Sequence, residues 1–161
     1  MHEHRADRSR SALNVGPLMT NDEIINGYLM HVDLAADRRI PSEEDYLWAW
    51  EAVTQLVDTD PERAWLVLLE AIRRCAQNNE YMIGAGPLEE LLVKHPRLFA
   101  SRVAENLSSN PRFRSAFEIA NFSTEYATVE DANYFNATLV AAGVPASLVP
   151  EWRIAEPEDA V

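Results

Sequence analysis

Cysteine, glycine and lysine are scarce in this chain of 161 residues, and long apolar runs are missing altogether. Cys75 is the sole cysteine, so no internal disulfide can form, which points to a reducing compartment. Its neighbours Ile72 and Ala76 mark it as a small core residue rather than a reactive thiol. The longest uncharged apolar run, Ala64 to Leu69, is far short of the ~20 residues that cross a bilayer. The stretch from Met1 to Arg10 has no apolar region of the kind a secretory signal needs, so a cytoplasmic location is expected. No segment alternates apolar and polar residues long enough to read as a strand.

Chemistry is equally thinly marked. His2, His4, His31 and His95 show no metal-ligand spacing such as HExxH. The acids are numerous but scattered, and no nucleophile elbow or paired catalytic carboxylates appear. The expectation is therefore no catalytic residue, no metal and no cofactor.

What is abundant is negative charge. The net charge is −12, which disfavours nucleic acid and anionic lipid as partners and suits either simple solubility or a basic protein partner. The charge is uneven. Residues 120–161 carry seven acids against Arg153, whereas residues 94–114 carry Lys94, Arg97, Arg102, Arg112 and Arg114 against Glu105. That basic stretch either meets an acidic partner or, more simply, pairs with the acidic C-terminal helix and tail.

Helix signals run along most of the chain. Thr20 opens a first helix with Asp22 and Glu23 in its first turn, and Ile24, Ile25, Tyr28, Leu29 and Val32 form its apolar face. Gly27 in its middle marks a close helix contact. Ser42, with Asp45 three residues on, predicts the start of a second helix. Asp60-Pro61 opens a third, apolar over most of its girth and so placed in the middle of a bundle. Pro87, Pro96 and Pro111 open three more, and Thr128 opens a last long one that Gly143 stops. A further turn is expected between Pro145 and Trp152.

The reading is all-α: a bundle or short superhelix of stacked antiparallel αα-hairpins, about seven helices. Residues 1–19 read as a disordered leader, 20–153 as a single helical domain and 154–161 as an acidic tail.

Three constellations stand out. Trp48 and Trp50 lie two residues apart, so they cannot share one helix face. One must go inward and the other must meet a neighbouring helix or solvent. With Glu51, Arg63 and Trp65 they form either wedges between helices, Glu51 pairing with Arg63 or a helix end, or an aromatic-walled pocket with a carboxylate. Gly84-Ala85-Gly86-Pro87 precedes Glu89 and reads as a structural turn, with Glu89 capping its own helix. Third is the basic stretch, where Arg97, Arg102, Arg112 and Arg114 are the candidate patch.

Trp48-Ala49-Trp50-Glu51, then Pro61-Glu62-Arg63-Ala64-Trp65, then Ile83-Gly84-Ala85-Gly86-Pro87-Leu88-Glu89-Glu90-Leu91-Leu92 resembles a bacterial domain family of unknown function. The likeness covers about residues 42 to 118 and takes in Pro111-Arg112-Phe113-Arg114 near its end. It implies a small helical fold and no activity. It marks Trp50, Glu51, Trp65, Gly84, Gly86, Pro87 and Glu89 as positions of interest.

Two functions are carried forward. The first is a non-enzymatic module that covers another protein, such as a toxin-neutralising immunity protein facing a basic nuclease. The alternative is a small-ligand or enzymatic domain with a Trp/Glu-lined pocket where the 42–58 helix meets the 83–89 turn. A fully packed junction, both carboxylates tied to helix ends, would exclude the alternative.

Overall fold

The computed structural model describes residues 19–37 and 45–156. Within them the chain folds as an all-α bundle of about seven helices. Residues 1–18 of the leader, the segment 38–44 and the last five residues lie outside the described residues, while Met19, the leader's last residue, packs against the core.

Helix α1 (Asn21–Ala36) begins at a reciprocal cap: Thr20 Oγ1 accepts the Glu23 N–H at 3.2 Å, and the Thr20 N–H donates to Glu23 Oε2 at 2.7 Å. Helix α2 spans Leu47–Thr59. Its start differs from the one expected at Ser42. Asp45 and Tyr46 form a bend, and Tyr46 makes no side-chain cap, while Ser42 lies outside the described residues. Helix α3 (Pro61–Arg74) starts where Asp60 Oδ1 accepts the Arg63 N–H at 3.2 Å.

Pro87 restarts the helix as expected, directly after Gly86, whose φ −121° and ψ −114° are not helical. Helix α4 (Glu80–Ile83) and α5 (Glu89–Lys94) belong to two helices joined across that break by a wide π turn, Gly84–Leu88, and together they make up the kinked helix. Proline has no N–H to give the helix before it, and its fixed φ suits the first turn of the helix after it, so the break falls just ahead of Pro87. Gly84 explains where the kinked helix sits. A Cβ there would lie 1.9 Å from the Ala116 carbonyl oxygen, so only glycine admits the backbone of the helix Pro111–Phe117.

Helix α6 (Pro96–Ser109), α7 (Pro111–Phe117) and α8 (Val129–Ala141) complete the set, with a 3-10 turn at Ala146–Leu148 inside the expected span. Asn110 Oδ1 caps α7 through the Phe113 N–H at 3.1 Å, and Thr128 Oγ1 caps α8 through the Asp131 N–H at 3.0 Å. Gly143 ends α8 with φ +80°.

Helix α3 lies at the centre. It touches α1, α2, α4, α5 and α7, which makes the fold a bundle rather than a solenoid whose units meet only their sequence neighbours. Ala64, Trp65, Val67, Leu68, Ala71 and Ile72 are its buried face, and Leu66 joins Arg63 and Glu70 on the outer one. Helix α6 packs most extensively on α8. Gly27 is the close contact expected of it. A Cβ there would lie 2.5 Å from the Trp48 ring, so α1 and α2 approach across that gap. One hydrophobic core runs from Ile24 to Leu139.

Candidate functional site

A cleft of about 980 Å3 opens between the kinked helix and the chain that follows α7. Trp50 and Thr54 of α2 stand at one side, and Ala85, Gly86 and Pro87 of the π turn with Glu89, Glu90 and Val93 of α5 line the wall. The facing wall is built by residues 120–126, by the 3-10 turn and by Arg153. This is the junction where the alternative reading set a pocket, and it is not packed shut.

Each predicted residue can be placed. Trp48 is the inward tryptophan, lying over Gly27 and against the core. Trp50 is the outward one, 40% exposed and lining the cleft. Glu51 is exposed and has no partner among the described residues. Arg63 does not reach it. Its Nε donates to Asn21 Oδ1 at 2.7 Å and its Nη2 to the Met19 carbonyl, which ties the start of α3 to the start of α1. Trp65 is core, stacked on Phe99 at 5.1 Å between ring centres and edge-on to Phe113 at 5.7 Å. Gly84 is buried against α7, while Gly86 lines the cleft, with open space where a Cβ would stand.

Glu89 does not cap its own helix. It lies in the first turn of the helix that restarts at Pro87, but among the described residues no bond ties its carboxylate to that helix end. Its Oε2 instead accepts the Asn121 N–H across the cleft floor at 2.8 Å. Glu90 accepts from Lys94 Nζ at 2.7 Å, and the same ammonium reaches Asp58 Oδ1 at 2.7 Å and lies 5.1 Å from the Tyr126 ring centre. Burial alone would lower the Lys94 pKa, but the bonds to Asp58 and Glu90 outweigh it and leave it raised.

The basic stretch is a set of internal tethers. Arg97 bonds Asp131, lies 3.6 Å from Glu130 Oε1 and covers the Tyr134 ring at 4.5 Å. Arg102 bonds Glu62 at 2.9 Å, and Arg114 bonds the Leu107 carbonyl at 2.6 Å. Arg112 meets Glu80 Oε1 at 2.7 Å and also donates to the carbonyls of Arg73 and Cys75, at 2.8 and 2.6 Å. Only Arg97 reaches the acidic C-terminal helix; the other partners lie on α3, α4 and α6. Burial pushes the Cys75 thiol up, and its sulfur bonds the Ile72 carbonyl at 3.4 Å, as a core residue would.

Sequence reasoning missed the facing wall. Glu118, Glu125, Tyr126, Glu151 and Arg153 all border the cleft. They lie on segments with no helical period, so nothing local placed them together. Among the described residues no group of three or more His, Cys, Asp or Glu is arranged to hold a metal ion, and no helix is long and apolar enough to cross a membrane.

The chain belongs to a family of unknown function (DUF6869), whose model matches residues 36–119, just over half of the sequence. No curated protein matches the chain, and no solved structure does. The match ends at Ile119, so one wall of the cleft lies within the family region and the facing wall lies beyond it.

Proposed function

We propose that this member of the family is a non-enzymatic interaction module whose cleft receives a basic segment of a partner protein. A toxin-neutralising, immunity-type role against a basic nuclease is one form of that reading. The observation that carries it is the charge of the cleft. Glu89, Glu90, Glu118, Glu125 and Glu151 border it, against Arg153 as the one cation among its lining residues. Glu118, Glu125 and Glu151 are exposed and have no side-chain partner among the described residues. Trp50 adds a large exposed ring beside them, a surface on which an arginine can stack. The net charge of −12 would steer a basic partner toward the protein.

The small-ligand or enzymatic alternative has the right place, and the volume falls in the range of ligand pockets. Thr54, Ser123 and Ser147 offer hydroxyls there, but the lining has no histidine or cysteine to act as base or nucleophile. Binding is therefore preferred over catalysis.

The test uses a fluorescein-labelled heptapeptide of alternating arginine and valine, titrated with the full chain. Binding is expected at about 20 mM salt and should weaken severalfold by about 150 mM as screening rises. The triple variant Glu118→Gln, Glu125→Gln, Glu151→Gln should bind about tenfold more weakly, from three lost contacts of about half a kcal/mol each. Trp50→Ala should also weaken binding without lowering the melting temperature. Equal affinity for the wild type and the triple variant, or no binding by the wild type, would overturn the reading.

A further inference from the structure

The facing wall of the cleft contains a strand edge. The Arg153 N–H donates to the Phe122 carbonyl at 2.8 Å, and the Thr124 N–H donates to the Arg153 carbonyl at 3.0 Å, so Ser123 and Arg153 form an isolated parallel bridge. In extended backbone, N–H groups two residues apart turn to the same side, and those of adjacent residues turn to opposite sides. The Phe122 carbonyl and Thr124 N–H face Arg153. The N–H and C=O of Ser123 therefore face the other way.

Asn121 identifies what lies on that other side. Its N–H, two residues before that of Ser123, meets Glu89 Oε2 at 2.8 Å, and Glu89 lines the cleft. Ser123 also lines the same cleft, which agrees with its backbone turning toward the kinked helix. Among the described residues nothing accepts from the Ser123 N–H or donates to its C=O. Glu89 Oε1 also has no partner among them. An unpaired donor and acceptor on an extended segment form a template for one more strand.

We infer that the partner's basic segment enters the cleft extended and adds as a β-strand along Ser123, a mode of recognition that rests on the reading proposed above. The occupant is a peptide segment bearing arginine or lysine, because carboxylates border the edge: Glu89 beside it, and Glu118, Glu125 and Glu151 around the cleft. Strand addition divides the work. Backbone bonds to Ser123 hold the segment, and the glutamates and Trp50 select its side chains. This also accounts for the position of Glu89, whose bond to Asn121 holds the edge open to the cleft.

The test compares three forms of the arginine–valine heptapeptide on the full chain: the parent, one N-methylated at every valine and one N-methylated at every arginine. A strand presents one edge to Ser123, and N-methyl groups on that edge block it, whatever the register. One methylated form should lose about tenfold or more in affinity, and the other should bind within about twofold of the parent. A proline substitution, Ser123→Pro, removes the N–H and should weaken the parent similarly, while Ser123→Ala should leave it unchanged. If the proline variant does not fold, the peptide comparison still decides. Both methylated forms binding like the parent, or both failing, would overturn strand addition, and a glutamate-dependent parent would leave the cleft reading standing. A parent that does not bind would overturn both.

Discussion

Trp65 and Trp152 belong to one chain of aromatic rings, and their surroundings differ. Trp65 is 3% exposed on the central helix, flanked by Phe99 and Phe113. From Phe113 the rings continue through Phe117 and Phe122 to Phe135 and Trp152, with neighbouring centres 5.0 to 6.1 Å apart. Trp152 is only partly buried, and its indole N–H donates to Asn136 Oδ1 at 3.1 Å. Asn136 in turn donates to the Pro150 carbonyl at 2.9 Å.

The region around Trp65 is held by helix faces on every side. The region around Trp152 is held by α8 on α6, by those rings and by the bridge at Ser123. The difference locates the cleft. Helices packed through their apolar stripes close the space between them, whereas a segment pinned at a few points leaves a gap beside each pin.

The sharpest way to break the first region is Gly84→Ala. The new Cβ would meet a backbone carbonyl at 1.9 Å, which no rotamer can relieve. The expected loss is about 3 kcal/mol or more in urea unfolding. Gly27→Ala is the contrast. Its Cβ meets the movable Trp48 ring at 2.5 Å and the fixed Ala49 Cβ at 2.9 Å, a milder overlap than at Gly84, and it gains helix propensity, so the loss should be about 1–2 kcal/mol. Equal losses would mean that the Ala116 contact is not what places the kinked helix.

The second region is tested by Trp152→Ala, expected to cost about 2–3 kcal/mol because the ring is only partly buried. Amide hydrogen exchange should accelerate in residues 120–156 and stay slow in α1 to α3. Uniform acceleration would show that the two regions open as one unit.

The smallest effect is the acid response, and it concerns the arginine–carboxylate tethers. Hydrogen bonds from Arg73 and Arg74 hold Glu70 down at about 2, below the ordinary 4.5. Glu62 is lowered by its bond to Arg102 and Asp131 by its bond to Arg97. For Glu80, burial pushes upward, but its own backbone N–H and Arg112 outweigh it and leave it lowered. A carboxyl lowered in the folded state stabilises it above the unfolded pKa, and that gain is lost as pH falls through the folded one. The melting temperature should therefore fall between about pH 4.5 and 2, and Glu70→Gln should flatten the lower part of that fall. A melting temperature that does not change across this window would show that the pairs contribute nothing.

Most of the fold was legible because its signals are local. Thr20, Asp60, Asn110 and Thr128 each cap a helix three residues on, within one turn of chain, and Gly143 stops the last one. Pro87 likewise marked a helix start, directly after the non-helical Gly86, whereas the close approach of α7 to Gly84 had no local signal. At the candidate site, Trp50, Gly86 and Glu89 were singled out and do border the cleft, while Trp65 and Gly84 went to the core. The basic stretch looked like one surface because its members are close in sequence, yet their partners are dispersed.

By itself the sequence determined the helix class, the order of the helices and most of their ends, because caps, prolines and apolar periods act over one or two turns. It also determined that one of Trp48 and Trp50 must turn outward. Only the tertiary structure decided which one, because the gap that takes Trp48 is made by Gly27 on another helix. It alone brought Ser123, Glu118 and Glu151 to face Trp50 and Glu89, because residues on aperiodic segments are positioned by what they pack against.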